Sequence, residues 1–222
     1  MLAQLRNEID IYNHLPRGHP RFLPMLSSYD RDGTYAGIEL PYLPKGTLRT
    51  YLEENHIEFV VEPASDSGDA TGTGTARLPV ISPRLRARWA VEMVDGIGFL
   101  HEHGVIHCDI KPHNVLLDDT LGVHIIYMAG SRLGDRDSLC CESDRFFMPR
   151  DRRNLNGTVT TDLFALGMSL FEIVTGAQPY GEIVDRREIF DRYKRQEFPS
   201  LAAVAGVRDE DGQLQRPPGP NS

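Results

Sequence analysis

Apolar residues recur along the chain in two periods, which divide it into helices and strands. Leu2, Leu5, Ile9, Tyr12 and Leu15 make a helical stripe over residues 2–15, and Pro16, Arg17 and Gly18 end it. Two strand-like segments follow, Leu26–Tyr29 and Tyr35–Leu40, with a turn signal at Arg31, Asp32 and Gly33. A proline-bounded stretch, Leu40–Leu48, leads into a short helix at Thr47–Glu54. Periodicity is then lost over 58–80, where Glu62–Thr75 is small, polar and acidic, the composition of a flexible insertion. Ser82 and Pro83 open a long helix by N-cap and first-turn chemistry, with Leu85, Trp89, Met93, Ile97 and Leu100 as its inward stripe and Gly104 as its stop. Leu116 and Leu117 predict a strand, Asp118 and Asp119 a turn, and Val123–Tyr127 the partner strand. Residues 131–147 are charged and irregular. Residues 162–173 are apolar on nearly every side, which predicts a central helix. Ile183, Ile189, Tyr193 and Phe198 predict one more helix, and a polar Gly/Pro-rich tail follows from about Arg208.

Composition changes this picture little. With 222 residues, 40% hydrophobic and 25% charged, the chain reads as an ordinary soluble globular protein able to bury a substantial core. A net charge of −8 argues against nucleic-acid or anionic-membrane partners. The basic clusters Arg84, Arg86 and Arg88, and Arg186 with Arg187, lie in helical patterns with acids nearby and read as solvated faces. Cys108, Cys140 and Cys141 have no paired spacing, so free thiols in a reducing compartment are expected. The start of the chain has no signal-peptide core and no apolar run would span a membrane, so an intracellular location, cytoplasmic or nuclear, is expected.

The candidate chemistry sits in residues 107–118, His-Cys-Asp-Ile-Lys-Pro-His-Asn-Val-Leu-Leu-Asp. Asp109, Lys111 and Asn114 share a proline-stiffened loop. The acid can accept a hydroxyl proton, the ammonium can neutralise a transferring phosphoryl group, and the amide oxygen can hold a divalent cation. A metal site at His101, His103, His107 and Asp109 is the weaker reading, because His101 and His103 face different ways on a helix. Gly72-Thr73-Gly74 has no third glycine, where Arg77 stands, and no flanking strand pattern; it reads as linker.

Residues 107–117 resemble the catalytic loop of protein kinases, and 162–173 resemble the central helix of that fold. The resemblance covers roughly residues 1–200. It implies an α+β, two-lobe, protein-kinase-like fold: a partial β-rich small lobe at 1–40, a hinge at 41–46, a mostly helical large lobe at 47–206 holding the insertion 58–80, and a disordered tail at 207–222. It assigns Asp109 as catalytic base, Lys111 to the γ-phosphate and Asn114 to magnesium. Leu40 would be the gatekeeper, Leu43 would offer backbone groups to adenine, and Leu116 would floor the pocket. Glu8 would occupy the place that pairs with a phosphate-binding lysine, His107 would brace the loop, and Asp162 would fasten it by backbone hydrogen bonds. ATP and Mg would be the cofactors and a protein the substrate or partner. Lys111 and Pro112 after Asp109 and Ile110 match the serine/threonine type.

Several positions depart from that pattern. Tyr127 stands 18 residues after Asp109, where the magnesium-binding aspartate belongs, Met128 replaces a phenylalanine, and Gly130 falls one place late. A neutral phenol is a poor ligand for a hard cation. Cys108 replaces the loop arginine that reads phosphorylation, and Arg150, after Met148 and Pro149, replaces a glutamate that pairs with a distal arginine. The lysines are Lys45, Lys111 and Lys194, none before Glu8, and no glycine-rich loop precedes it. These departures lead to the expectation of a kinase-like domain with weak or no transfer activity that acts by binding. The alternative is an active serine/threonine kinase whose gene model lacks the N-terminal nucleotide-binding strands.

Overall fold

The computed structural model describes residues 2–31, 35–55, 81–151 and 153–201. The predicted insertion 58–80 with its Gly72–Gly74 stretch, Asp32 and Gly33 of the predicted turn, and the predicted tail 207–222 lie outside the described residues. Helices and strands segregate as in an α+β protein. Helix α1 (Leu2–His14) precedes a hairpin of β1 (Ser27–Arg31) and β2 (Tyr35–Glu39). After α2 (Leu48–Asn55) comes α3 (Pro83–Glu102), then short strands β3 (Val105–Ile106), β4 (Val115–Leu117), β5 (Val123–Ile125) and β6 (Arg132–Leu133). Helices α4 (Val159–Thr175) and α5 (Arg186–Lys194) follow. Among the described residues each sheet is a two-stranded antiparallel pair: β1 with β2, β3 with β6, and β4 with β5.

Local chemistry accounts for the helix ends. The Ser82 hydroxyl accepts from Leu85 N, with Pro83 at the first helical position of α3. Thr158 and Thr161 form a reciprocal capping box at the start of α4, and Gly176, at φ 75°, ends it. Asp185 caps α5. The inward stripe of α3 matches its spacing: Trp89, Met93, Ile97 and Leu100 are buried, and Leu85 packs at the margin of the core. Gly96 lets α3 approach β5 closely, since a Cβ there would come within 2.5 Å of Ile125 Cδ1.

Three expectations are corrected. The buried face of α1 holds Asn7, Glu8, Ile11 and Tyr12, with Leu15 just beyond, whereas Leu2, Leu5 and Ile9 are only half-buried. Polar groups point inward because backbone partners await them: Asn7 Nδ2 donates to Ala129 O (3.2 Å) and Ser131 O (2.8 Å). Arg86 is not a solvated residue. Its guanidinium donates to Ile173 O, one of the last carbonyls of α4, and thus satisfies a group that the helix itself leaves unpaired. Burial lowers its pKa. Finally, α4 is not covered on every side by described residues, for Leu163 and Val174 are each 53% exposed.

The α2–α4 contact contains a buried acid. Glu172 accepts from Arg49 Nη1 at 3.1 Å, and burial, opposed by Arg49, pushes its carboxyl up to about 7. Because the folded value lies above the unfolded one, the contribution is fully present below about pH 4.5 and is lost as pH rises through about 7. Urea denaturation is expected to show stability falling by up to about 3 kcal/mol over that window. Glu172→Gln is expected to flatten the profile; an unchanged slope would refute the assignment.

Candidate functional site

The 107–118 loop is built around one carboxylate. Asp162, on the first turn of α4 and fully buried, accepts from His107 N (2.7 Å), Cys108 N (2.9 Å) and His101 Nε2 (2.9 Å). These bonds hold Cys108 at φ 66°, a left-handed conformation costly for a residue with a Cβ. Cys108 is itself buried, with Sγ 3.2 Å from Ile106 O. Burial, first, and the nearby Asp162 push its thiol up to about 12, so it remains protonated at neutral pH. A Cβ on Gly157 would come 2.3 Å from that Sγ, so the packing leaves no room for a longer side chain on that side.

The next residues converge on Asp109. Its Oδ2 accepts from Lys111 Nζ (2.7 Å) and Asn114 Nδ2 (2.9 Å), and the same amide donates to Asp109 O (2.7 Å). Asp109 Oδ1 is buried without a protein hydrogen bond among the described residues. His107 accepts from Asp109 N through Nδ1 (3.2 Å), which leaves Nε2–H to donate to Ile126 O (3.0 Å). Ser131 Oγ closes the network on His107 O (2.9 Å). The arrangement gives an acid with one oxygen held by a cation and an amide and the other unpaired, the donor set of a proton acceptor.

The hinge-like segment lies beside the expected floor. Leu117 N donates to Gly46 O (3.1 Å), Thr47 bridges Leu116, Gly46 N approaches Leu43 O at 3.4 Å, and Leu40 packs against the core. Glu8 is buried, accepts from Met128 N (3.1 Å), and has its pKa raised by burial. It thereby ties α1 to the turn just after Tyr127. Tyr127 breaks the predicted strand two residues early: it sits at φ 70°, ψ 49° with 54% of its surface exposed.

The residues present do not suit magnesium. At Tyr127, where the family resemblance places a magnesium-binding carboxylate, stands an exposed phenol, a poor ligand for a hard cation; Asn114 donates to Asp109 through its nitrogen, which leaves its amide oxygen as the one ligand of that pair. The alternative metal reading also finds no geometry. His101 turns to Asp162 and His103 Nδ1 to Phe99 O (2.8 Å), and among the described residues no group of three or more His, Cys, Asp or Glu side chains could hold an ion.

Two participants escaped the sequence. Arg150 reaches Glu142 Oε2 at 2.8 Å, donates to Leu155 O (3.0 Å) and Met148 O (3.2 Å), and lies 4.3 Å over the Phe147 ring. Glu142 is buried, inside a stretch without periodicity, so only its charge could have marked it. Ser131 likewise carried no signal.

Comparison with known proteins follows the same lines. The protein kinase domain family matches residues 1–211. The chain is 30% identical over 162 residues to a serine/threonine-protein kinase PDK1 of Cryptococcus neoformans, an alignment covering 68% of this chain and 13% of that protein. It is 26% identical over 197 residues to a G-type lectin S-receptor-like serine/threonine-protein kinase of Arabidopsis thaliana, covering 85% of this chain and 21% of that protein. It therefore spans only a small part of the length of these relatives. With a catalytic-type loop fastened to a central helix and a family match over nearly its whole length, the chain belongs to the protein kinase domain family.

Proposed function

We propose that this chain is a serine/threonine-type protein-kinase-like domain that performs little or no phosphoryl transfer and acts by binding a protein. The observation that carries the reading is Tyr127, an exposed phenol where the transfer chemistry needs a cation-binding carboxylate. Asp109, Lys111 and Asn114 are assembled, yet they bond to one another: the ammonium at 2.7 Å from Asp109 is neutralised within the loop. The loop is further fastened by Asp162 and His107, so it keeps its shape without nucleotide, as a binding role requires. Transfer of radiolabel from ATP to a mixed Ser/Thr peptide substrate is expected to stay at background with or without magnesium, and thermal shift is expected to show weak or no magnesium-dependent nucleotide binding. Turnover that disappears in Asp109→Asn would sink the proposal and favour the active-kinase alternative.

A further inference from the structure

A cleft of about 560 Å³ opens beside the loop, walled by α2, residues 111–113, the turn at 143–146 and the segment 178–189. Arg49, Lys111, His113, Arg145 and Arg186 line it, and Asp144 is the acid among the described lining residues. We infer that this cleft receives a peptide segment of a partner protein bearing clustered acidic side chains. The inference deepens the proposed binding role and rests on it.

The charges differ in how far they are committed. The Arg145 guanidinium donates to Pro179 O (2.9 Å), Tyr180 O and Ile183 O (2.8 Å), so neutral carbonyls hold it in place, and the acid its charge reaches is the buried Glu172, with which it makes no ion pair among the described residues. Arg186 meets Asp144 at 3.3 Å, but the two side chains are 80% and 51% exposed, and an exposed pair of this kind opens at little cost. His113 is exposed beside Lys111. Arg49 and Lys111 have acid partners, Glu53 and Glu172 for the first and Asp109 for the second, and so contribute less. The chain as a whole carries −8, so a cleft that gathers cations differs in sign from the net charge around it and selects by charge.

The cleft's apolar parts favour a peptide over a nucleic acid. Val184 stands 93% exposed at the rim, ready to meet an aliphatic side chain, whereas the lining aromatic Phe146 is buried to 3% and gives no platform for stacking bases.

The test uses the whole 222-residue chain without nucleotide. Anisotropy would be read with fluorescein-labelled ten-residue peptides carrying one serine among Asp/Glu, the same peptide in Asn/Gln form, a phosphoserine-rich form, and an oligouridine of equal charge. The Asp/Glu or phosphoserine peptide is expected to bind at least about tenfold tighter than the Asn/Gln peptide, weakening as salt shortens the Debye length. The order of the two anionic peptides identifies carboxylate or phosphate as the anion. Arg186→Glu combined with His113→Glu is expected to weaken acidic binding about tenfold or more without moving the melting temperature, both residues being exposed. Equal binding of acidic and neutral peptides, acidic binding unmoved by the double substitution, or oligouridine binding as tight as the peptide would each overturn the inference. The phosphotransfer assay can come out either way without altering this measurement, so failure here and failure of the low-activity reading are separable.

Discussion

Asp162→Ala is expected to destabilise the protein by about 4 kcal/mol and lower its melting temperature by roughly 10 °C. The carboxylate is fully buried, and its removal strands His107 N and Cys108 N, which point at it from 2.7 and 2.9 Å, together with His101 Nε2. A buried donor without an acceptor costs about 1–3 kcal/mol, and here two backbone donors lose theirs together. The left-handed conformation of Cys108 also loses the bond that compensates it, so the loop relaxes and Asp109 moves away from Asn114. Asp162→Asn is expected to be milder, since its amide oxygen can still serve one donor. Denaturant melts of both variants, with hydrogen exchange at residues 107–109, check this. An Asp162→Ala protein within about 1 kcal/mol of the parent would show that the loop holds its shape by other means.

The second large effect is expected at Glu142 and Arg150. Arg150→Ala is expected to cost about 3–5 kcal/mol, because it leaves the buried Glu142 without its cation, and Glu142→Ala less, because the part-exposed Arg150 keeps two carbonyls and the Phe147 ring. Removing both is expected to cost clearly less than the sum of the two singles, the mark of a coupled pair. The exchange Glu142→Arg with Arg150→Glu would recover only part of the loss, since the guanidinium would leave Phe147 and the carbonyls of Met148 and Leu155. A double-mutant cycle read by urea unfolding decides the matter: additive costs would mean that the two side chains are held independently. The pair has a functional consequence as well. Where kinases generally tie this end of the segment to a distant arginine, here Arg150 pairs within the segment, with Glu142, while Arg145 ties the same stretch to the carbonyls of Pro179, Tyr180 and Ile183.

How much was legible follows from the range of the forces involved. Helices α1 and α3 announced themselves through period and end signals and α4 through its nearly continuous apolarity, because those signals depend on neighbours a few residues away. The loop 107–118 was legible for a different reason: its residue types and their spacing are set by chemistry performed within one short segment. The strands β3 and β6 were missed, being two residues each and paired across 26 to 28 positions, which no local period encodes. The face of α1 was rotated from the hydropathy stripe because Asn7 and Glu8 find backbone partners more than a hundred residues away. Arg86 was misjudged for the same reason, its acceptor lying on another helix.

Tyr127 illustrates the boundary. Its position could be counted from Asp109, and its unfitness as a cation ligand follows from phenol chemistry alone. Its exposed, left-handed placement, with Met128 N tied to Glu8 beside it, required the packed molecule.

By itself the sequence determined the family, the loop that carries Asp109, Lys111 and Asn114, and the departures at Cys108, Tyr127 and Arg150, because each is a matter of residue type at a short spacing. Only the tertiary structure decided what those groups do. It bonded Asp109 to both Lys111 and Asn114, gave Arg150 a buried partner in Glu142, and gathered Arg145, Arg186 and His113 around one cleft. Burial and charge pairing depend on which distant surfaces meet, and nothing in the order of residues states that until the chain has closed on itself.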